Sequence, residues 1–186
     1  MPEGQEKLAW AIGRPWAGNA RPYNAVGETM YKTRKNIRLT EFDYGTPGAY
    51  FITVCTNNHE KIFWENVGAS IARPEEVRLS ELGKIVEQAI NKISVYYPGV
   101  CVDIYTIMPN HVHLLLQIKT DEDGRAMPAP TISTVVQQMK GSVTKQAGKT
   151  VWQKGFYDHV VRGGKDYREV WSYIEGNPIK WEEDHG

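Results

Sequence analysis

Between Tyr50 and Asn177 the hydrophobic positions switch between a two-residue and a 3.6-residue period, and each switch marks an element boundary. Tyr50-Phe51-Ile52-Thr53-Val54-Cys55-Thr56 is rich in β-branched and aromatic residues, which predicts a strand over 50–56. Its nearly unbroken apolar character predicts a central place in a sheet. Lys61-Ile62-Phe63-Trp64 and Val77-Arg78-Leu79 flank a Gly- and Pro-containing stretch, so 61–79 reads as a short hairpin excursion. Ser80 then precedes Leu82, Ile85, Val86, Ala89, Ile90 and Ile93, an i, i+3, i+4 stripe with a Ser cap that predicts a helix over 80–97, stopped by Pro98-Gly99. Two strands follow, over 100–107 and 111–118, joined by the tight link Met108-Pro109-Asn110. A polar loop over 120–130 leads to a helix over 131–147 with Ile132, Val135, Val136 and Met139 on one face. The stretch Gly155–Arg162 predicts a further strand. After Gly163-Gly164, residues 166–177 predict a last helix, ended where Pro178 disfavours helix at Asn177. The order β-α-β-β-α-β plus a C-terminal helix predicts an α/β (α+β) class, the ferredoxin-like split βαβ sheet.

Residues 1–36 follow neither period and read as an arm ahead of a domain over 37–186. Between Arg14 and Arg38 the basic residues Arg14, Arg21, Lys32, Arg34, Lys35 and Arg38 face the single acid Glu28, with Trp16, Tyr23 and Tyr31 among them. Cations interleaved with aromatic rings suit a single-stranded nucleic acid, whose phosphates and base faces call for one of each. The equally open alternative is a solubilising tail. Over the whole chain 22 Lys and Arg balance 22 Asp and Glu, so a general basic field is excluded and any nucleic-acid surface must be local. The local excess after residue 139, with Lys140, Lys145 and Lys149 at its start, is a candidate phosphate-contacting stripe. Cys55 and Cys101, far apart and without CxxC spacing, exclude a zinc ribbon and fit a reducing, cytoplasmic setting. The sequence has no apolar run long enough for a membrane span and no signal-peptide pattern, which predicts a soluble protein without a membrane partner.

The candidate chemistry begins at His111-Val112-His113. Side chains i and i+2 of a strand leave the same face, so both imidazoles point one way and form half a site for a divalent metal. On the last helix Tyr173 and Asn177 stand at i and i+4 and share a face. The amide oxygen of Asn177 suits a hard cation such as Mg²⁺ or Mn²⁺, and the Tyr173 phenol is a candidate nucleophile. His159 is left outside this set, since a structural role on the sheet accounts for it as well.

Met108-Pro109-Asn110-His111-Val112-His113, Trp152-Gln153-Lys154-Gly155-Phe156-Tyr157-Asp158-His159-Val160-Val161-Arg162 and Tyr173-Ile174-Glu175-Gly176-Asn177-Pro178-Ile179-Lys180 together resemble the single-tyrosine HUH transposase superfamily. Within it the chain is most similar to the REP-associated tyrosine transposases, relatives of insertion-sequence transposases, from about Arg34 to Trp181. The resemblance implies a metal-dependent enzyme that cleaves and rejoins single-stranded or hairpin DNA. His111 and His113 match its two histidines, Tyr173 its nucleophile and Asn177 its polar third ligand. In that chemistry the tyrosine oxygen attacks the scissile phosphorus, leaving a 5′-phosphotyrosine and a free 3′-hydroxyl. A phosphotyrosine conserves the energy of the broken bond, so no nucleotide cofactor is expected, and the chain carries no GxxxxGK[ST] loop. The family also includes homodimers in which the tyrosine helix serves the partner's histidines. Gly163-Gly164 departs from the more polar, acidic turn expected there, and the arm exceeds the motif-bearing core; both bear on DNA specificity. Two other readings use the same residues: a phosphodiesterase that activates water at the histidines, and a non-catalytic hairpin-DNA-binding module.

Overall fold

The computed structural model describes residues 45–65, 78–120 and 130–185. The arm over 1–36, together with Arg34, Lys35 and Arg38, and most of the excursion predicted over 61–79 lie outside the described residues. The flanks of that excursion do meet, since Trp64 and Leu79 form an antiparallel bridge and Glu65 N–H donates to Arg78 C=O at 2.9 Å.

Strands β1 (Gly48–Cys55), β2 (Val100–Met108), β3 (His111–Ile118) and β4 (Tyr157–Val161) pair antiparallel in the order β2-β3-β1-β4. Helix α1 (Glu81–Asn91), with a further turn α2 (Ile93–Tyr96), links β1 to β2, and helix α3 (Ile132–Ala147) links β3 to β4. Each crossover skips the strand between its ends, which is the ferredoxin-like split βαβ arrangement. Alternation along β3 then sorts its side chains. Val112, Leu114, Leu116 and Ile118 join the main core with Tyr50, Ile52 and Val54 of β1, Val86 and Ile90 of α1, and Val135, Val136 and Met139 of α3. Leu115 instead packs with Phe51 against Val170 and Ile174 of the last helix, α4 (Gly163–His185). Both faces of β3 are therefore covered along its middle, which is why Leu114-Leu115-Leu116 runs apolar without alternation. The histidines share the parity of Leu115 and face α4.

Local chemistry fixes the ends. Ser80 Oγ accepts from Gly83 N–H at 3.1 Å and donates to Ile62 C=O at 2.7 Å, so the N-cap of α1 is also tied to the segment after β1. A Cβ on Gly83 would lie inside the contact distance of the Phe63 carbonyl oxygen, a backbone atom that already accepts from Ser80 N–H at 2.8 Å. Gly83→Ala is therefore expected to destabilise the fold by roughly 1–3 kcal/mol, the usual cost of overpacking, read as a lower midpoint in urea at unchanged slope. An unshifted midpoint would mean that the helix slides away at no cost.

The last helix corrects the sequence reading. It spans Gly163–His185 with Pro178 inside it, where a helix over 166–177 is predicted. Proline removes only one helical donor, and the residues beyond it continue a face that packs on the histidine strand, so tertiary contact outweighs the local penalty. Its start is fixed three ways. Gly163 takes a left-handed φ of 77°, which glycine adopts without strain. Asp166 accepts from Arg162 N–H at 2.7 Å and lies 3.0 Å from His159 Nε2. Tyr167 donates to Asp103 at 2.9 Å, from the irregular register between Val102 and Ile104 in β2. Burial first, and then the Asp103 carboxylate, pushes the Tyr167 phenol up to about 12, so it stays a donor. Among the described residues no helix is long and apolar enough to cross a membrane.

Candidate active site

His111 and His113 project from one face of β3, with their Nε2 atoms 3.0 Å apart. Each ring is held from behind. Asn110 Oδ1 lies 2.7 Å from His111 Nδ1, and an amide oxygen only accepts, so His111 carries its proton on Nδ1 and presents a lone pair at Nε2. Thr53, opposite His113 in the β1–β3 register, places Oγ1 2.8 Å from His113 Nδ1. A hydroxyl donates or accepts, which leaves His113 two neutral forms. With Thr53 donating, His113 Nε2–H donates to His111 and the pair satisfies itself. With Thr53 accepting, two Nε2 lone pairs face each other, an arrangement that a cation favours.

Both imidazoles are held neutral. Burial, then the nearby His59, lowers His111 from 6.5 to about 4. Burial, then His111, holds His113 well below the usual histidine range. Metal binding requires neutral imidazole, so neither ring needs to lose a proton at pH 7.

Helix α4 lies over the pair. The Tyr173 ring centre is 5.3 Å from that of His113 at an interplanar angle of 65°, and 5.8 Å from Phe51 at 87°. Phe51 in turn stacks on His113 at 5.3 Å. One chain thus brings its own Tyr173 onto its own His113. One turn further along, the Asn177 Nδ2 atom is buried and has no hydrogen-bond partner among the described residues. An orphaned buried donor costs about 1–3 kcal/mol, which an acceptor oxygen of a ligand bound there would offset. Among the described residues no three His, Cys, Asp or Glu side chains converge as a metal cluster. A divalent cation here would rest on the two Nε2 atoms together with oxygen donors such as the Asn177 amide, and this donor set fits Mg²⁺ or Mn²⁺.

The predicted phosphate contacts are placed differently. Lys140 donates to the carbonyls of Gln153 at 2.8 Å and Gly155 at 2.6 Å, which ties α3 to the segment before β4. Lys145 and Lys149 are exposed at the end of α3, in the layer across the sheet from the histidines. That end nevertheless reaches the His111 end of β1, where Asn57 N–H donates to Val151 C=O at 2.8 Å.

Sequence reasoning assigned no role to Thr53, Asn110 or Trp181. Thr53 reaches His113 only through strand register, 60 positions along the chain, and no local pattern encodes that. Asn110 stands inside the histidine block. Trp181 continues the Tyr173, Asn177 spacing by four, a signal hidden by ending the helix at Pro178.

No protein-family model matches the chain. An uncharacterized protein of Haemophilus influenzae is 34% identical over 170 residues, covering 81% of this chain and 91% of its own length. A candidate REP-associated tyrosine transposase of the same species is 25% identical over 146 residues, 74% of each chain. The solved structure of a REP-associated tyrosine transposase bound to a REP hairpin superposes with a TM-score of 0.54 at 24% identity, over 72% of this chain and 68% of that one, a likeness of fold. Joined to a split βαβ sheet whose paired histidines face a tyrosine-bearing helix, these relatives identify the lineage: the chain belongs to the HUH/REP-associated tyrosine transposase superfamily.

Proposed function

We propose that this chain cleaves and rejoins single-stranded DNA at hairpin-containing sequences through a 5′-phosphotyrosine on Tyr173. The observation that carries the reading is the seating of the Tyr173 ring on His113, beside two neutral imidazoles whose Nε2 atoms converge. A divalent cation held by His111, His113 and Asn177 supplies Lewis acidity that offsets the charge of the scissile phosphate. The chain's own groups do the rest. Tyr173 Oη attacks phosphorus, its proton leaves to solvent, the bond to the 3′ oxygen breaks, and that oxygen departs as a hydroxyl after taking a proton. An incoming 3′-hydroxyl reverses these steps, and no external energy source is consumed. Asn110 and Thr53 hold the imidazoles so that Nε2 faces the site. Phe51 keeps water from the back of His113 and Tyr173. The hairpin preference rests on the hairpin bound by the structural relative. Lys145 and Lys149, with Arg34, Lys35 and Arg38, are the proposed contacts to phosphates farther along the strand.

The test is to incubate the protein with hairpin-tipped single strands and Mg²⁺ or Mn²⁺ and to look for a denaturant-resistant 5′ adduct. Hydrolytic products without an adduct would instead favour activated water, and tight hairpin binding without cleavage a binding module. The imidazole orientation has its own check. Thr53→Val removes the hydroxyl at His113 Nδ1 while keeping the side chain's shape, so Mn²⁺ affinity is expected to fall roughly 10- to 100-fold in calorimetry, with Thr53→Ser restoring most of it. Equal affinity in the Val variant would remove Thr53 from the site.

A further inference from the structure

We infer that Trp181, flanked by Lys61, is a stacking platform for the nucleobase next to the scissile phosphate of single-stranded DNA; the inference deepens the proposed function and rests on it. Tyr173, Asn177 and Trp181 stand at i, i+4 and i+8 of α4 and share one face. Tyr173 seats on His113, and Trp181 reaches His111, with ring centres 5.9 Å apart at 59°. The helix therefore runs along β3 in the opposite direction and sets an aromatic ring beside each histidine.

Lys61 arrives from another element, with Nζ 5.6 Å from the Trp181 ring centre. Its position is built in. Buried Thr56 shares its single Oγ1 proton between Glu60 C=O and Asn110 C=O, each at 2.9 Å, and Ile62 and Phe63 N–H both donate to Pro109 C=O, at 2.9 and 3.1 Å. These bonds fasten residues 60–63 to the turn that leads directly into His111. Lys61 is exposed, and Trp181 is half-buried beside a site whose reacting group is an anion with a base on either side. An aromatic face next to an exposed cation is what a single-stranded nucleotide needs, because every base has a π-face and every link a phosphate. On binding, Lys61 swings from the indole to a phosphate, and the base takes the face it leaves.

Binding of a short oligo-dT strand and of an abasic strand of equal length, measured by anisotropy in a Tyr173→Phe background, tests this apart from cleavage. The unaltered platform is expected to prefer the base-bearing strand. Trp181→Leu, which keeps apolar volume without an aromatic face, is expected to weaken oligo-dT binding about tenfold and leave the abasic strand unchanged, while Trp181→Phe retains most of the preference. Lys61→Met is expected to weaken both strands equally and to reduce the salt slope by about one ion. Oligo-dT binding by a folded Trp181→Leu protein that matches its parent, or an equal loss on both strands, overturns the platform. A wild-type adduct with hairpin DNA accompanying that result would leave the proposed function standing, whereas Trp181-dependent base preference without any adduct would remove the chemistry and keep the platform.

Discussion

Tyr173→Phe is expected to abolish the covalent 5′ adduct while hairpin binding and fold persist. Phenylalanine keeps the ring that packs edge-on against Phe51 and tilted on His113, and loses only the oxygen that would bond to phosphorus. The ring is part of the small core with Phe51, Leu115, Val170 and Ile174, so an alanine variant would confound loss of chemistry with loss of packing. Removing an essential nucleophile typically costs on the order of 10⁴-fold or more in rate, which places the variant below detection in a gel assay for denaturant-resistant adducts. An adduct of undiminished yield would assign the nucleophile to another residue. Strand cleavage continuing without an adduct would point to activated water.

The second large effect concerns the histidine pair. His111→Ala is expected to eliminate saturable Mn²⁺ binding in calorimetry, because one imidazole and one amide leave too few donors among the described residues to hold the ion. Binding that is unchanged would refute the site. The same burial that keeps the pair ready for metal costs stability in acid. In chelator-treated protein, His111 titrates near 4 when folded and near 6.5 when unfolded, so between those values the unfolded chain binds more protons. Its contribution is therefore complete above pH 6.5 and is lost as pH falls towards 4, by on the order of 3 kcal/mol. His113 acts in the same direction. Carboxylates titrate in part of this window, so the informative quantity is the difference in unfolding free energy between wild type and His111→Gln at each pH. A difference that stays flat from pH 7 to 4 would mean that the ring is not held neutral by burial.

The β-branched and aromatic run Tyr50–Thr56, the largely apolar stretch His111–Ile118, the Ser80 cap and the stripes of α1 and α3 each state a local preference strongly enough to define the element. Their order then leaves few right-handed, short-looped topologies, and the split βαβ sheet is among them. Pairing of His111 with His113, and of Tyr173 with Asn177, follows from period 2 and period 3.6 alone. What local sequence cannot express is which elements touch. The bond from Thr53 to His113 depends on a register that joins residues 60 positions apart, and the seating of Tyr173 on His113 depends on the packing of α4 against one face of the sheet. The extension of α4 through Pro178 is of the same kind. Local chemistry argues for a stop there, and contact of the 173–177–181 face with the histidine strand overrides it, because packing gained over a whole helix face exceeds one lost hydrogen bond. Sequence by itself determined the residue types and the faces they occupy; the tertiary structure decided their partners, since side-chain direction is a property of a single element and proximity is a property of two.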